Sequence, residues 1–122
     1  MKVLIIEPDA DHAGSLASII RVLGHEPVVC SDPWAAIKSA DRCSPVMILL
    51  GLSIRGVDVY EYARLLRRQD DLAHVKFVAV SGEVDDPSRA REAGIDTQLL
   101  QSHARGLVPV LRETLLAEGQ HA

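Results

Sequence analysis

Three short runs of apolar residues stand out along the chain, and residues that favour turns bound each of them. The runs are Val3 to Ile6, Val46 to Leu50 and Phe77 to Val80. Continuous apolar runs of this length, rich in β-branched residues, are typical of strands buried on both faces of a parallel sheet. Two weaker candidates, residues 28–30 and 98–100, predict strands that are less buried or lie at the sheet edges.

Helical patterns fill the intervals between these strands. Leu16, Ile19, Ile20 and Leu23 recur at helical spacing, and Gly24 follows them as a natural stop. A second helix is predicted with Asp32 as its N-cap and Pro33 as its first residue, and it extends to about residue 41. Further helices are predicted over residues 58–69, over residues 86–94 and from about residue 106 onward. The last of them carries Leu107, Leu111 and Leu115.

The third predicted helix, residues 58–69, carries an apolar stripe that consists of Val59, Tyr62 and Leu66. We expect this stripe to face the core. The three arginines of the same helix are expected to point outward; they are Arg64, Arg67 and Arg68.

The alternation of strand and helix, repeated five times, defines the expected fold class. It is α/β, with a five-stranded parallel sheet, helices on both faces and right-handed crossovers. The 122 residues suit one domain with one core, so we expect a single domain over residues 1–122.

Composition narrows the range of functions. Hydrophobic residues make up 48% and charged residues 25% of the chain, which is typical of a globular protein. The net charge of -4 gives no reason to expect nucleic-acid binding. The two cysteines, Cys30 and Cys43, have no metal-type spacing and are expected to be reduced. The apolar run at the N-terminus is too short for a membrane span or a signal peptide, so a cytoplasmic protein without membrane contact is expected.

Candidate functional residues follow the strands, because open parallel sheets bind ligands at the carboxyl ends of their strands. Glu7, Pro8 and Asp9 follow the first strand, residues 51–56 follow the third, and Ser81 and Gln101 follow the fourth and fifth.

The stretches VLIIEPD, ILLGLSIRGVD, FVAVSG and AGIDTQLLQS resemble the receiver domains of response regulators, and together they span nearly the full length. The resemblance implies a flavodoxin-like (βα)5 fold. It also implies an acidic pair that binds Mg²⁺ after the first strand, and an aspartate after the third that accepts phosphate from a histidine kinase. A Ser/Thr after the fourth strand and a lysine after the fifth would hold the phosphoryl oxygens.

Most of these positions carry other residues here. Gly51 stands at the position of the acceptor aspartate, Glu7 and Pro8 stand at the acidic pair, and Gln101 replaces the lysine. Only Ser81 matches the pattern. Phosphoryl transfer needs a nucleophile, a divalent cation and cationic positioning, so losses at three sites indicate a degenerate receiver, or pseudo-receiver.

The residues beside this site have simpler interpretations. Asp9 is read as the N-cap of the first helix in preference to a metal ligand, although Glu7 and Asp9 are weak metal candidates. His12 follows Asp9 at a spacing that places both on one helical face. Gln98 stands where receivers commonly have an aromatic switch residue. Trp34 is either core or an exposed contact residue, and the sequence leaves both readings open.

The substitutions at the phosphorylation site predict a non-enzymatic module of a phosphorelay or two-component pathway. Such a module acts by protein–protein interaction that does not depend on phosphorylation. The expected partners are signalling proteins (a kinase, an output domain or another regulator), with a homodimer as a further option and without nucleic acid. By resemblance, the interaction face is formed by the fourth helix, the fifth strand and the fifth helix, roughly residues 86–118, and is represented by Arg89, Arg91 and Gln98.

No cofactor is expected, Mg²⁺ included. Two alternatives stay open. One is an unusual receiver that still binds Mg²⁺ or phosphate through Glu7, Asp9 and Ser81 and is phosphorylated at a nearby hydroxyl such as that of Ser53. The other binds a small ligand in the strand-end pocket over Ser81.

Overall fold

The strands and helices of the protein alternate along the chain. The computed structural model describes residues 1–51, 58–69, 72, 74–81, 87–100, 106, 108–109 and 111–113. The elements in chain order are β1 (Lys2–Ile6), α1 (Ala10–Val22), β2 (Glu26–Cys30), α2 (Pro33–Cys43), β3 (Met47–Gly51), α3 (Val59–Arg67), β4 (Lys76–Ser81), α4 (Pro87–Glu92) and β5 (Thr97–Leu100).

All five strands are parallel and lie in one sheet in the order β2-β1-β3-β4-β5. The predicted fold class is therefore confirmed, and the two weaker strand candidates are the two edge strands. The chain order reverses between β1 and β3, whose register pairs Ile6 with Leu50. This reversal is the switch point at which open α/β sheets bind ligands.

Alternating side chains of the sheet form two buried layers. Leu4 and Ile6 face a cluster that includes residues of α2, α3 and α4. Val3 and Ile5 face a second cluster that includes α1 and Leu111. The described part of the predicted last helix, residues 108–109 and 111–113, is helical, whereas Leu107 and Leu115 lie outside the described residues. Helices thus cover both faces of the sheet.

The helix boundaries follow the signals in the sequence. Asp9, Asp32 and Asp58 are the N-caps of α1, α2 and α3. The carboxylates of Asp9 and Asp58 each accept two hydrogen bonds from backbone N–H groups in the first turn, and that of Asp32 accepts one. Gly24 and Gly94, which follow α1 and α4, have φ angles of 85° and 90°. Glycine adopts this conformation at little cost, so both positions stop a helix.

The prediction for Arg67 was wrong. Its side chain is only 22% exposed and ion-paired with Asp96, with Nη2 3.0 Å from Oδ2. The guanidinium also lies 3.8 Å from the centre of the Phe77 ring. Arg64 is half-buried and Arg68 is exposed, so the outward prediction is correct for Arg68 and partly correct for Arg64. The predicted stripe of Val59, Tyr62 and Leu66 is buried, as expected.

Several smaller expectations are also settled. Trp34 is 56% exposed, so it is a surface residue and not core. Cys30 and Cys43 are both free thiols, the first half-buried and the second buried. In the described part of the chain, no helix is long and apolar enough to cross a membrane.

Candidate functional site

The centre of the candidate site is the contact between Glu7 and Gly51. Glu7 directly follows β1, and Gly51 is the last residue of the neighbouring strand β3. A Cβ atom built on Gly51 would overlap Oε2 of Glu7 and would lie 2.9 Å from its Cδ. The carboxylate of Glu7 therefore occupies the space where a side chain at position 51 would begin.

Glu7 is held in this position by its surroundings. Its backbone N–H donates to the carbonyl of Cys30 at 3.1 Å, which continues the pairing of β1 with β2 past the end of the strand. The residue is 6% exposed and is the one buried charged residue among those that the structure describes. Burial raises the pKa of the Glu7 carboxyl above its usual 4.5, against the opposing effect of a hydrogen bond from the Asp9 backbone.

Asp9 and His12 lie beside Glu7 at the start of α1. Asp9 Oδ1 accepts hydrogen bonds from the backbone N–H groups of Asp11, at 2.9 Å, and His12, at 3.2 Å. The prediction that Asp9 is an N-cap is confirmed, and the bond from His12 is the main reason that the pKa of Asp9 is lowered. His12 Nδ1 lies 3.7 Å from Oε1 of Glu7 and 3.7 Å from Oδ2 of Asp9.

These side chains are a poor match for Mg²⁺, which prefers an octahedron of oxygen ligands that includes carboxylates. Glu7 is buried against Gly51, Pro8 has no carboxylate, and Asp9 caps a helix. Within the described ranges, no group of three or more His, Cys, Asp or Glu side chains is arranged to hold a metal ion.

The structure describes only some of the other predicted site residues. Ser81 ends β4, but the placement of its side chain lies outside the described part of the structure. Gln101 and Ser53 are also outside the described residues. Gln98 lies on β5 opposite Ala79, on the sheet face that α4 covers. Its Nε2 is buried and makes no hydrogen bond to the residues described.

The exposed residues of α4, in the predicted interaction face, are polar. The helix packs through the small residues Ala90 and Ala93, while Arg91 is exposed. Arg89 bridges to α3: its Nη2 lies 3.1 Å from Oδ2 of Asp58, and its guanidinium lies 4.6 Å from the centre of the Tyr60 ring. Arg89 therefore connects two helices, a role that the sequence analysis missed. A substitution of Arg91 therefore tests this face with less effect on the contact between α3 and α4.

Sequence reasoning identified Glu7 and Gly51 separately but missed that the Glu7 side chain fills the space beside Gly51. The length of the side chain at position 7 was the signal in the sequence for this contact. Glutamate is one methylene longer than the aspartate implied by the resemblance, and the residue opposite it in the neighbouring strand has no side chain. A long acid beside a glycine in adjacent strands is the pattern that would have indicated this contact.

No protein-family model matches the chain, but curated proteins do. An uncharacterised 76.5 kDa protein of Thiocystis violacea is 30% identical over 120 residues, which are 95% of this chain and 16% of that protein. The sensory transduction protein RegX3 of Mycobacterium tuberculosis is 29% identical over 118 residues, 96% of this chain and 52% of that protein. The transcriptional regulatory protein PrrA of the same organism is 29% identical over 100 residues, 82% of this chain and 43% of that protein. The chain thus spans about half the length, or less, of these curated relatives.

Solved structures establish the fold. The signal receiver domain of the DNA-binding response regulator merR from Colwellia psychrerythraea superposes with a TM-score of 0.85 at 20% identity, covering 94% of this chain and 98% of that one. A CheY-like response regulator receiver domain protein from Methanospirillum hungatei gives a TM-score of 0.86 at 15% identity, covering 99% and 98%. The chain therefore has the fold of a CheY-like receiver domain, and over most of its length it is similar in sequence to a sensory transduction protein and a transcriptional regulatory protein.

Proposed function

We propose that this chain is a degenerate receiver domain that contributes to signalling through protein–protein contact and is not itself phosphorylated. The observation that carries the proposal is the carboxylate of Glu7, which fills the space beside Gly51. A receiver needs a carboxylate nucleophile at that position, and here the position has no side chain.

The surroundings of the site support the same proposal. Burial raises the pKa of Glu7, so the charged form that would attract a divalent cation is disfavoured there. The sequence places glutamine at position 101, where a lysine would neutralise a phosphoryl group. Phosphoryl transfer depends on positioning and charge neutralisation, and the residues that would supply them are substituted. We therefore propose a module without Mg²⁺ and without catalysis of its own.

The proposed partners are signalling proteins, either a kinase, an output domain or a second regulator, and a second copy of the chain is a further candidate. The exposed side of α4 next to β5 is the proposed contact surface. Its packing through Ala90 and Ala93 leaves Arg91 and Glu92 exposed. Arg91→Glu tests this surface better than a change at Arg89, because Arg89 also contacts Asp58 and Tyr60.

Incubation of the protein with acetyl phosphate and Mg²⁺, followed by intact mass measurement, tests the absence of phosphorylation. The expected result is an unchanged mass. A saturating gain of one phosphoryl group would overturn the proposal, and mapping it to Ser53 would favour the unusual-receiver alternative instead.

A reconstructed variant provides the positive control for this experiment. Gly51→Asp, Pro8→Asp and Gln101→Lys restore the residues that the resemblance implies. The structure adds Glu7→Asp, because the shorter acid vacates the space that a side chain at position 51 requires. The fourfold variant is expected to gain Mg²⁺-dependent phosphorylation, and a folded variant that gains none would place the site assignment in error.

A further inference from the structure

A groove of about 490 Å³ lies between the start of α2 and the outer face of α3, away from the contact of Glu7 with Gly51. Its volume is within the range of small-molecule sites in proteins. The lining residues are Trp34, Asp58, Glu61, Tyr62, Arg64, Leu65 and Arg68. None of the functions considered above uses this groove.

The apolar part of the groove is formed by an exposed indole that rests on a buried phenol. Trp34 is the single tryptophan of the chain and is 56% exposed. Its ring centre lies 5.8 Å from that of Tyr62, edge to face at 85°. Tyr62 is 2% exposed, and its hydroxyl donates a hydrogen bond to the Pro33 carbonyl. The indole of Trp34 thus packs against the buried Tyr62 ring, and its exposed surface is available for stacking with another planar group.

The polar part of the groove is a row of charges along α3. Asp58 already caps the helix and pairs with Arg89. The side chains of Glu61, Arg64 and Arg68 make no ion pair or hydrogen bond within the described part of the chain. Arg64 and Arg68 are four residues apart on one helical face, where two like charges repel each other. A shared anion between the two guanidinium groups relieves that repulsion.

We propose that this groove binds a nucleotide, or a molecule of the same chemistry with a planar ring system and a phosphate tail. The ring stacks on Trp34, and the phosphates lie between Arg64 and Arg68. Glu61 accepts a hydrogen bond from an amino or hydroxyl group of the ligand. This assignment gives a partner to every charged lining side chain that has none in the described structure. It is independent of the proposal that the domain is not phosphorylated.

Fluorescence of Trp34 provides a direct test, since the chain has no other tryptophan. The unmodified protein is titrated with ATP and GTP in parallel with adenosine and inorganic pyrophosphate, without Mg²⁺. We expect a saturable change with the nucleotides, a weaker response to adenosine, and displacement of bound nucleotide by pyrophosphate. No saturable change with either nucleotide up to about 1 mM, the affinity of a weak ligand, overturns the proposal.

Variants then separate the two parts of the groove. Arg64→Gln combined with Arg68→Gln is expected to weaken nucleotide binding about tenfold or more, because charge-assisted hydrogen bonds to phosphate are lost. Trp34→Leu, followed by calorimetry, is expected to weaken it about fivefold or more, since base–aromatic stacking is lost. Arg21→Gln is the matched control, because Arg21 is an exposed arginine on α1, on the opposite side of the sheet. Equal affinity of the double variant and the control overturns the assignment even if binding occurs.

Two separate experiments distinguish this proposal from the absence of phosphorylation. The titration contains no Mg²⁺ and reports binding alone, whereas the intact mass after incubation with acetyl phosphate and Mg²⁺ reports phosphorylation. Binding in the titration together with an unchanged mass after that incubation supports both proposals. A gain of mass overturns the unphosphorylated reading alone, whereas an absence of binding with an unchanged mass overturns the groove assignment alone.

Discussion

Arg67 allows the sharpest prediction about stability, because its guanidinium connects α3 to the amino end of the sheet and to the turn before β5. Nη1 donates to the carbonyls of Leu72, at 3.1 Å, and Val75, at 2.6 Å. Nη2 donates to the Gly94 carbonyl and to Oδ2 of Asp96, the latter at 3.0 Å. The same Asp96 oxygen accepts the backbone N–H of Phe77 at 2.8 Å, so the network extends into β4.

Arg67→Ala removes all of these contacts at once. A hydrogen bond to a charged group contributes about 1.5–3 kcal/mol, but bonds to one guanidinium are not additive. Breaking a buried ion pair costs about 3–5 kcal/mol; the Asp96 side chain is 39% exposed, so this pair alone costs less, and the contact of Arg67 with the Phe77 ring adds to the loss. Since the side chain is 22% exposed, we take the lower end of the range and expect a loss of about 3 kcal/mol in the free energy of unfolding. With a typical urea dependence for a small domain, the midpoint then falls by about 2 M.

Urea unfolding followed by circular dichroism measures this change. Arg68→Ala is the matched control, since the neighbouring arginine is exposed, and it is expected to change stability by less than about 0.5 kcal/mol. Arg67→Met keeps the apolar stem and loses the donors, so it is expected to lose nearly as much as Arg67→Ala. If Arg67→Ala is as mild as the control, the guanidinium network does not stabilise the domain and the reasoning fails.

Three further predictions concern glycine geometry and two titrating groups. Gly14→Ala, in an exposed helical position with nothing within 4 Å of the new Cβ, is expected to raise stability by about 0.5–1 kcal/mol. Gly94→Ala is expected to lower stability by about 2 kcal/mol, because φ is 90° and the new Cβ would lie 3.0 Å from Nε of Arg67. Equal urea midpoints for Gly14→Ala and Gly94→Ala would contradict this prediction. Because the pKa of Glu7 is raised in the folded state, its contribution to the free energy of unfolding is fully present below pH 4.5 and is lost as the pH rises through the raised pKa. Glu7→Gln should therefore be more stable than the unmodified protein at pH 7. The difference between their urea midpoints should disappear as the pH falls toward 4.5. Burial lowers the pKa of His25 below 6.5, so its contribution is present above 6.5 and is lost as the pH falls; His25→Gln should flatten the decline in melting temperature below pH 6.5, and an unchanged decline would rule out this cause.

The fold could be predicted from the sequence because each element carries its own local signal. The apolar runs that became β1, β3 and β4 are within one or two residues of their observed bounds. Asp32 and Pro33 marked the start of α2 correctly because capping depends on neighbouring residues alone. Helix α2 ends at Cys43, two residues later than predicted, at Ser44 in a left-handed conformation with φ of 50° that the sequence pattern does not signal.

The contacts that define the sites could not be predicted in the same way. Arg67 looks like an exposed helical arginine in the sequence, and its partners are 5 to 29 residues away along the chain. Trp34 and Tyr62 meet only once α2 and α3 lie side by side on the sheet. Long polar side chains reach several alternative partners, and only the tertiary packing selects among them.

Under the proposed assignment of position 51 as the acceptor position, the missing carboxylate is coupled to the packing of this domain, since the Glu7 carboxylate occupies the space beside Gly51. Glu7 can lie buried between the strands because position 51 has no Cβ, and any side chain at position 51 must first displace the Glu7 carboxylate. An aspartate restored at position 51 alone would place two carboxylates in one poorly hydrated space without the lysine that would offset their repulsion. A single reversion therefore restores neither the geometry nor the charge balance of a phosphorylation site. Only coordinated changes at both strand ends do so, and this is why the fourfold variant, and not Gly51→Asp alone, is the informative reconstruction.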